Sequence, residues 1–142
     1  MYKKILIPLE NSAADDVIVD HVIPLAKLTG ASILLIHVAD GFVARYQEML
    51  NLSDSEEIVK DRAYLERRAM ELAEQGIRVD YRLERGEPSK VILSLVEQTG
   101  CDLVAMATHG HKFLGDLIFG TVAEHVRHRT DVPILMIRAP KK

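Results

Sequence analysis

Three short, nearly continuous apolar runs, KKILIPL (3–9), SILLIHV (32–38) and DLVAMA (102–107), leave this chain little choice of fold. A strand with one wet face alternates polar with apolar residues. A run without that alternation requires burial on both faces, the environment of a central strand in a parallel sheet covered by helices. A fourth segment, IRVDYRLER (77–85), does alternate: Ile77, Val79, Tyr81 and Leu83 are expected inward, with Arg78, Asp80, Arg82 and Glu84 outward, as at a sheet edge. VPILMIR (132–138) supplies a fifth strand, with Pro133 near its start, where a missing N–H is tolerated.

Helical patterns fill the intervals. The first is expected from Ser12 to Thr29, with Ser12 and Asp15 in capping-box spacing, Ile18, Val22 and Leu25 on one face, and Gly30 as the stop. Pro24 lies inside it. An interior proline removes an intrahelical bond at a cost of about 3 kcal/mol, which predicts a kink or a break into two pieces. The second helix begins at the Ser53–Glu56 capping box, buries Ile58, Leu65, Ala69 and Leu72, and ends at Gly76. The third opens on Pro88, presents Val91, Ile92, Leu95 and Val96, and stops at Gly100, while the fourth is expected to begin at Thr121. Strands alternating with helices imply right-handed βαβ units and a doubly wound α/β sheet with helices on both faces. Residues 39–52 fit neither period and read as an insertion over the strand ends, with Val43, Tyr46 and Leu50 spaced for one short helix.

Length and charge narrow the function classes. At 142 residues without a linker, the expectation is a single domain, 1–142, and a net charge of −3 offers no basic footprint for nucleic acid. Cys101 is the only cysteine, so no intrachain disulfide or thiolate zinc site forms, and it reads as a small buried hydrophobe. The first apolar run is shorter than a signal segment and meets Glu10 at once, so the protein is expected in the cytoplasm, with no membrane association.

In a doubly wound sheet ligands sit outside the carboxyl ends of the strands, where the strand order reverses. Three loops meet there: 8–12 after the first strand, 38–41 after the second, and ATHGHKFLGDLIFGT (107–121) after the fourth. Thr121 and Glu124 have capping-box spacing, so a helix N-terminus is expected at Thr121, with unpaired N–H groups and a positive dipole end suited to an anion. Gly110 and Gly120 would let the backbone approach that anion without a Cβ in the way. Gly110 and Gly115 have the spacing of a P-loop, but Asp116-Leu117 stands where Lys-Ser/Thr is required, and no G-x-G-x-x-G occurs.

The remaining chemistry-bearing residues carry less. His109-x-His111 and His125-x-x-His128 have metal-site spacing, but nothing in the sequence makes them converge, and no metal site is expected. His21 and His37 are expected at half-buried positions, and Met49, Met70, Met106 and Met136 as core filler. There is no nucleophile elbow, no H-E-x-x-H and no carboxylate pair with assignable acid and base roles, so no catalytic residue is assigned.

Over essentially its whole length the chain resembles the universal stress protein (UspA) family. That family's first strand ends in Pro-x-Asp-Gly-Ser, set here against Pro8-Leu9-Glu10-Asn11-Ser12, and its third crossover resembles Gly86-Glu87-Pro88. Nucleotide-binding members carry Gly, two residues, Gly, nine residues, Gly-Ser/Thr. Here the pattern reads Ala107, Thr108-His109, Gly110, residues 111–119, Gly120-Thr121, with alanine in place of the first glycine. If position 107 requires left-handed backbone, alanine there is strained by roughly 1–2 kcal/mol.

The resemblance implies an adenine nucleotide alpha hydrolase-like fold, with five parallel strands in the order 3-2-1-4-5. It implies ATP as ligand, with Mg²⁺, and a role in stress response or signalling through an unidentified protein partner. Gly110, Gly120 and Thr121 would hold the phosphates, Glu10 the ribose, and the backbone at Leu9 and Val38 the adenine. The full nucleotide-binding set is Pro8, Leu9, Glu10, Val38, Met106, Ala107, His109, Gly110, His111, Gly120, Thr121 and Val122. Hydrolysis, if any, would be slow. The alternative is an interaction module of the same fold that binds no nucleotide, and an α/β nucleotidyl- or phosphotransferase would need a carboxylate besides Glu10 for Mg²⁺. The uninterrupted Ile134, Leu135, Met136 and Ile137 leave the last strand poorly protected at its edge, which predicts a homodimer through Pro133–Arg138.

Overall fold

A computed structural model describes residues 1–40, 56–108 and 114–139, with the backbone path alone over 114–121. Along the chain run β1 (Lys4–Pro8), α1 (Ala14–Thr29), β2 (Ser32–Asp40), α2 (Glu56–Glu74), β3 (Val79–Gly86), α3 (Pro88–Thr99), β4 (Leu103–Thr108), α4 (Leu114–Arg129) and β5 (Ile134–Arg138). The five strands form one parallel sheet in the order β3-β2-β1-β4-β5, as expected.

The apolar runs divide their side chains between two cores, because successive residues of a strand point to opposite faces. Ile5, Ile7, Ile33, Leu35, Leu103 and Ala105 join Ile18 and Val22 of α1 and Leu65 and Leu72 of α2. On the other face Leu6, Leu34, Ile36, Val104 and Met106 pack with Ile92 and Leu95 of α3 and Val122 and Val126 of α4. Each fully buried Leu or Ile contributes about 1.5–3 kcal/mol. β1, β2 and β4 are therefore held from both sides, and their carboxyl ends are fixed platforms for the loops that follow.

Helix ends follow the sequence closely in three cases. Gly30 and Gly100 close α1 and α3 in left-handed conformation, returning their N–H groups to the carbonyls of Ala26 and Val96. Pro88 occupies the first turn of α3. α1 starts at Ala14 rather than Ser12, and it is one continuous helix across Pro24, not two pieces. Pro24 lies on the exposed face, and the Asp20 position, whose carbonyl loses its helical donor, is exposed to water as well.

Other expectations are corrected. α4 begins at Leu114, so Thr121 is not its start. β2 continues to Asp40 and pairs with β3 as far as Gly86, so Ala39 and Asp40 belong to the strand and not to an insertion. His21 is exposed, not half-buried, and Met70 (64% exposed) and Met136 (46%) are not core filler. Met70 follows Ala69 on α2 and is rotated off the inward stripe, and Met136 sits on an edge strand. Tyr81 is also outside, its hydroxyl donating to Glu66 Oε1 at 3.0 Å. The short helix around Val43, Tyr46 and Leu50, the Ser53 cap and Met49 lie outside the described residues.

Candidate functional site

β1 and β4 are paired only at Ile5↔Leu103 and Leu6↔Val104, although β1 continues to Pro8 and β4 to Thr108. Beyond that short contact the two strands run on without pairing. Their connections also diverge, since α1 packs on one face of the sheet and α4 on the other. This is the point where the strand order reverses, the place where a doubly wound sheet leaves its crevice at the carboxyl ends.

The β1–α1 loop forms one wall of that crevice, and a polar network beneath it fixes its path. Leu9 is buried, and its N–H donates to the Ile36 carbonyl at 2.7 Å, extending the sheet by one residue. Asn11 follows in left-handed conformation, φ 64°. That is the position of the family's glycine in the sequence match, and asparagine is one of the few residues that tolerates it. Asp15, 1% exposed, turns its carboxylate back under the loop. Its Oδ1 accepts from Glu10 N–H at 3.0 Å, and its Oδ2 from Asn11 N–H at 2.8 Å, Ser12 N–H at 3.3 Å and the Tyr64 hydroxyl at 2.7 Å. Ser12 Oγ accepts from Ala14 N–H at 3.2 Å and not from Asp15 N–H, so the predicted Ser12–Asp15 box does not close: only its return bond, Ser12 N–H to Asp15 Oδ2, is made, and the Asp15 carboxylate serves the loop ahead of the helix.

A second carboxylate extends the network to β2. Asp61 of α2 accepts from Asn11 Nδ2 at 3.0 Å through Oδ1 and faces His37 Nε2 at 3.1 Å through Oδ2. The other ring nitrogen, Nδ1, lies 2.8 Å from the Leu9 carbonyl oxygen. Burial, together with the bond to the Asp15 carboxylate, pushes the Tyr64 hydroxyl well above the ordinary tyrosine range. Sequence reading did not anticipate Asp61, Tyr64 or this use of His37. A signal existed: Asp61 falls on the same inward stripe as Ile58 and Leu65, where a carboxylate needs partners.

Several of the expected site residues come together here. Pro8 ends β1, with Leu9 and Glu10 on the crevice wall and Val38 near the end of β2. Met106 and Ala107 lie in β4, both buried, pairing with Met136 and Ile137 of β5. Ala107 is in extended strand backbone and its methyl is 2% exposed within the α1–α2 core, so the left-handed strain considered above does not arise. Val122 is buried on the opposite face. His109, Gly110 and His111 lie outside the described residues.

Gly120 and Thr121 are placed otherwise than expected. Both fall about two turns inside α4, where backbone N–H groups are used by the helix's own ladder. The four N–H groups without intrahelical partners belong instead to the start at Leu114. Thr121-Val-Ala-Glu124 has the spacing of a cap without being one, and Glu124 is engaged by Arg127 at 3.2 Å and faces His128 at 3.5 Å. Among the described residues no cluster of three or more His, Cys, Asp or Glu could hold a metal, and no helix there is long and apolar enough to cross a membrane.

Comparison with known proteins identifies what this arrangement resembles. The model of the universal stress protein family matches residues 1–138. Universal stress protein MJ0531 of Methanocaldococcus jannaschii is 30% identical over 145 residues, covering 100% of this chain and 85% of the relative. Protein MJ0577 of the same organism is 26% identical in its solved structure, with a TM-score of 0.80 over 100% of this chain and 99% of that one. A universal stress protein from Archaeoglobus fulgidus, solved in complex with dAMP, has a TM-score of 0.71 at 16% identity, covering 96% of this chain and 98% of that one. These neighbours share the five-stranded 3-2-1-4-5 sheet of the adenine nucleotide alpha hydrolase-like fold.

Proposed function

This chain belongs to the universal stress protein family, and on that premise we propose that it binds an adenine nucleotide, ATP, in the crevice between β1 and β4. The observation that carries the reading is the early end of β1–β4 pairing at Leu6↔Val104, which leaves both carboxyl ends open beside one another. The dAMP complex of a protein with the same fold supports an adenine nucleotide as the ligand.

The residues fit such a ligand in part. Asp15 and Asp61 are occupied by the loop, Tyr64 and His37. Glu10, half-buried on the β1–α1 loop, would take the ribose hydroxyls, as the family resemblance implies. Backbone at Leu9 and Val38 would flank the adenine. Phosphates would lie toward Gly110, His109 and His111 and the N-terminus of α4 at Leu114, where N–H groups and the helix dipole favour an anion. Mg²⁺ would be held chiefly by the phosphates themselves, since a hard cation needs several oxygens and the wall contributes one carboxylate. No general base is assigned, and any hydrolysis would be slow.

In the cell the molecule would act as a nucleotide-dependent regulator in the cytoplasm, dimeric through the outer edge of β5. Mass spectrometry of small molecules released from freshly purified, denatured protein tests the reading, followed by calorimetric titration with ATP and AMP. Bound adenine nucleotide supports it. Protein that releases none and binds neither is the nucleotide-free interaction module instead.

A further inference from the structure

His37 is placed so that each ring nitrogen faces an acceptor: Nδ1 the Leu9 carbonyl at 2.8 Å, Nε2 the Asp61 carboxylate at 3.1 Å. A neutral imidazole has a single N–H, so either tautomer sets a ring lone pair against an oxygen. One further proton, carried by the ring or shared with Asp61, completes both bonds. The pair is largely shielded from solvent, with side chains 14% and 9% exposed, so water compensates poorly for a missing donor.

The groups around the ring come from three directions. Asp61 faces it from α2, the Leu9 carbonyl from the β1–α1 loop, and uncharged Leu83 is its register neighbour on β3. Behind Asp61, Asn11 Nδ2 ties the left-handed turn to the same carboxylate. Asp15, with Tyr64, holds the amides of Glu10 and Asn11 from α1. The loop that forms the crevice wall is thus gripped at Leu9 by His37 and at Asn11 by Asp61, with one proton joining the two grips.

We infer that the His37–Asp61 pair is a proton-dependent positioning unit for the β1–α1 loop at Leu9, Glu10 and Asn11. With the extra proton, both grips hold and the wall is preorganised. Without it, one contact becomes repulsive, the Leu9–Asn11 segment shifts, and adenine-nucleotide affinity falls. The ligand in this statement rests on the function proposed above, whereas the coupling of the loop to the pair rests on the geometry alone.

Two variants separate the coupling from general damage. Asp61→Asn keeps an oxygen for Asn11 and supplies an N–H to neutral His37 Nε2, so its network is complete without the extra proton. His37→Gln removes the titrating group. In ligand-free wild-type protein, nuclear magnetic resonance should show the Glu10 and Asn11 amide signals moving with the titration of His37 itself. Calorimetry with ATP should show affinity falling about fivefold from the pH at which the His37 signals report a protonated ring to the pH at which they report a neutral one, the worth of one ordinary hydrogen bond. Asp61→Asn should hold the low-pH affinity across that range, and His37→Gln should lack the wild-type step. Titrations of the nucleotide phosphates, His109 and His111 are common to all three proteins and cancel in the ratios. Amide signals that ignore the His37 titration, or an Asp61→Asn profile identical to wild type, would overturn the inference. If wild-type protein binds no ATP at any pH, the nucleotide reading fails, and the amide signals still decide the coupling.

Discussion

The Tyr64 hydroxyl donates to Asp15 Oδ2 at 2.7 Å and so ties α2 to the first turn of α1 beneath the crevice. Asp15 is the hub, because it also satisfies the amides of Glu10, Asn11 and Ser12. Tyr64→Phe removes one donor and should cost about 1 kcal/mol, while Asp15→Ala strands those amides and should cost about 3 kcal/mol or more. Urea unfolding of both variants and the double mutant checks this. The double mutant should lose less than the sum, since once Asp15 is gone the hydroxyl has no carboxylate to meet. Tyr64's folded value is raised, so its contribution is complete below the ordinary tyrosine range near 10 and is lost as pH rises above it. Tyr64→Phe should accordingly blunt the alkaline loss of stability.

Asn11 combines a left-handed backbone with a side-chain bond to Asp61. Asn11→Gly keeps the backbone and loses the bond, at about 1 kcal/mol. Asn11→Ala loses the bond and adds left-handed strain of roughly another 1 kcal/mol. Thermal unfolding should therefore rank wild type above glycine above alanine. Alanine matching glycine would mean that the turn relaxes without strain.

Asp102 fastens the start of β1 to that of β4, accepting from Lys3 N–H at 2.9 Å and Lys4 N–H at 3.1 Å. Burial opposes its ionisation, but the Lys4 and Lys3 amides outweigh it and hold the carboxyl below its ordinary value. A depressed value means that its stabilisation is present above the ordinary aspartate range, near 4, and disappears as pH falls through the lower folded value. Asp102→Asn should lower stability at neutral pH and leave a shallower acid limb, measured as the urea midpoint against pH.

In the crevice, Glu10→Ala should weaken ATP binding about tenfold, the worth of one hydrogen bond to a charged group, while the protein stays folded, because the Asp15 bond is made by the Glu10 backbone. Calorimetry and thermal unfolding on the same preparation check both halves. Undiminished affinity would remove Glu10 from the ribose.

What the sequence disclosed was what burial on two faces dictates. Ile5-Leu6-Ile7 and Ile33-Leu34-Leu35-Ile36 have no polar side, so their place at the centre of a covered sheet could be read without coordinates. The start of α4 could not, because Gly115 and Gly120 resemble loop residues and Thr121–Glu124 has capping-box spacing, yet helix runs through all of them. Local spacing does not reveal whether a capping pattern starts a helix or falls inside one. The network joining Asn11, His37 and Asp61 was equally out of reach. Its members lie on a loop, a strand and a helix far apart in sequence, and only the β2–α2 packing brings them to hydrogen-bond distance. Met136 was misread for a related reason: an apolar residue on an edge strand has a face that the described residues leave partly uncovered.

That uncovered face leads to the prediction about assembly. β5 pairs with β4 on one side, and as the last strand of the sheet it has no strand partner on its other edge among the described residues. The two edges differ: β3 carries Asp80, Arg82, Glu84 and Arg85, which discourage strand addition, whereas β5 offers Ile134, Leu135, Met136 and Ile137 before its first charge at Arg138. Leu135 and Ile137 pack partly against the α1–α2 core, so Met136, 46% exposed, is the side chain left for a partner. A second β5, antiparallel across a two-fold axis, would satisfy the edge and cover Met136 in the same contact. Met136→Lys should then convert a dimer to a monomer with little change in monomer stability, while Tyr81→Lys on the opposite edge should leave the dimer intact. Light scattering on size-separated protein at micromolar concentration measures both. Wild-type protein with the mass of one chain, or a Met136→Lys protein that remains dimeric, would rule out β5 as the interface.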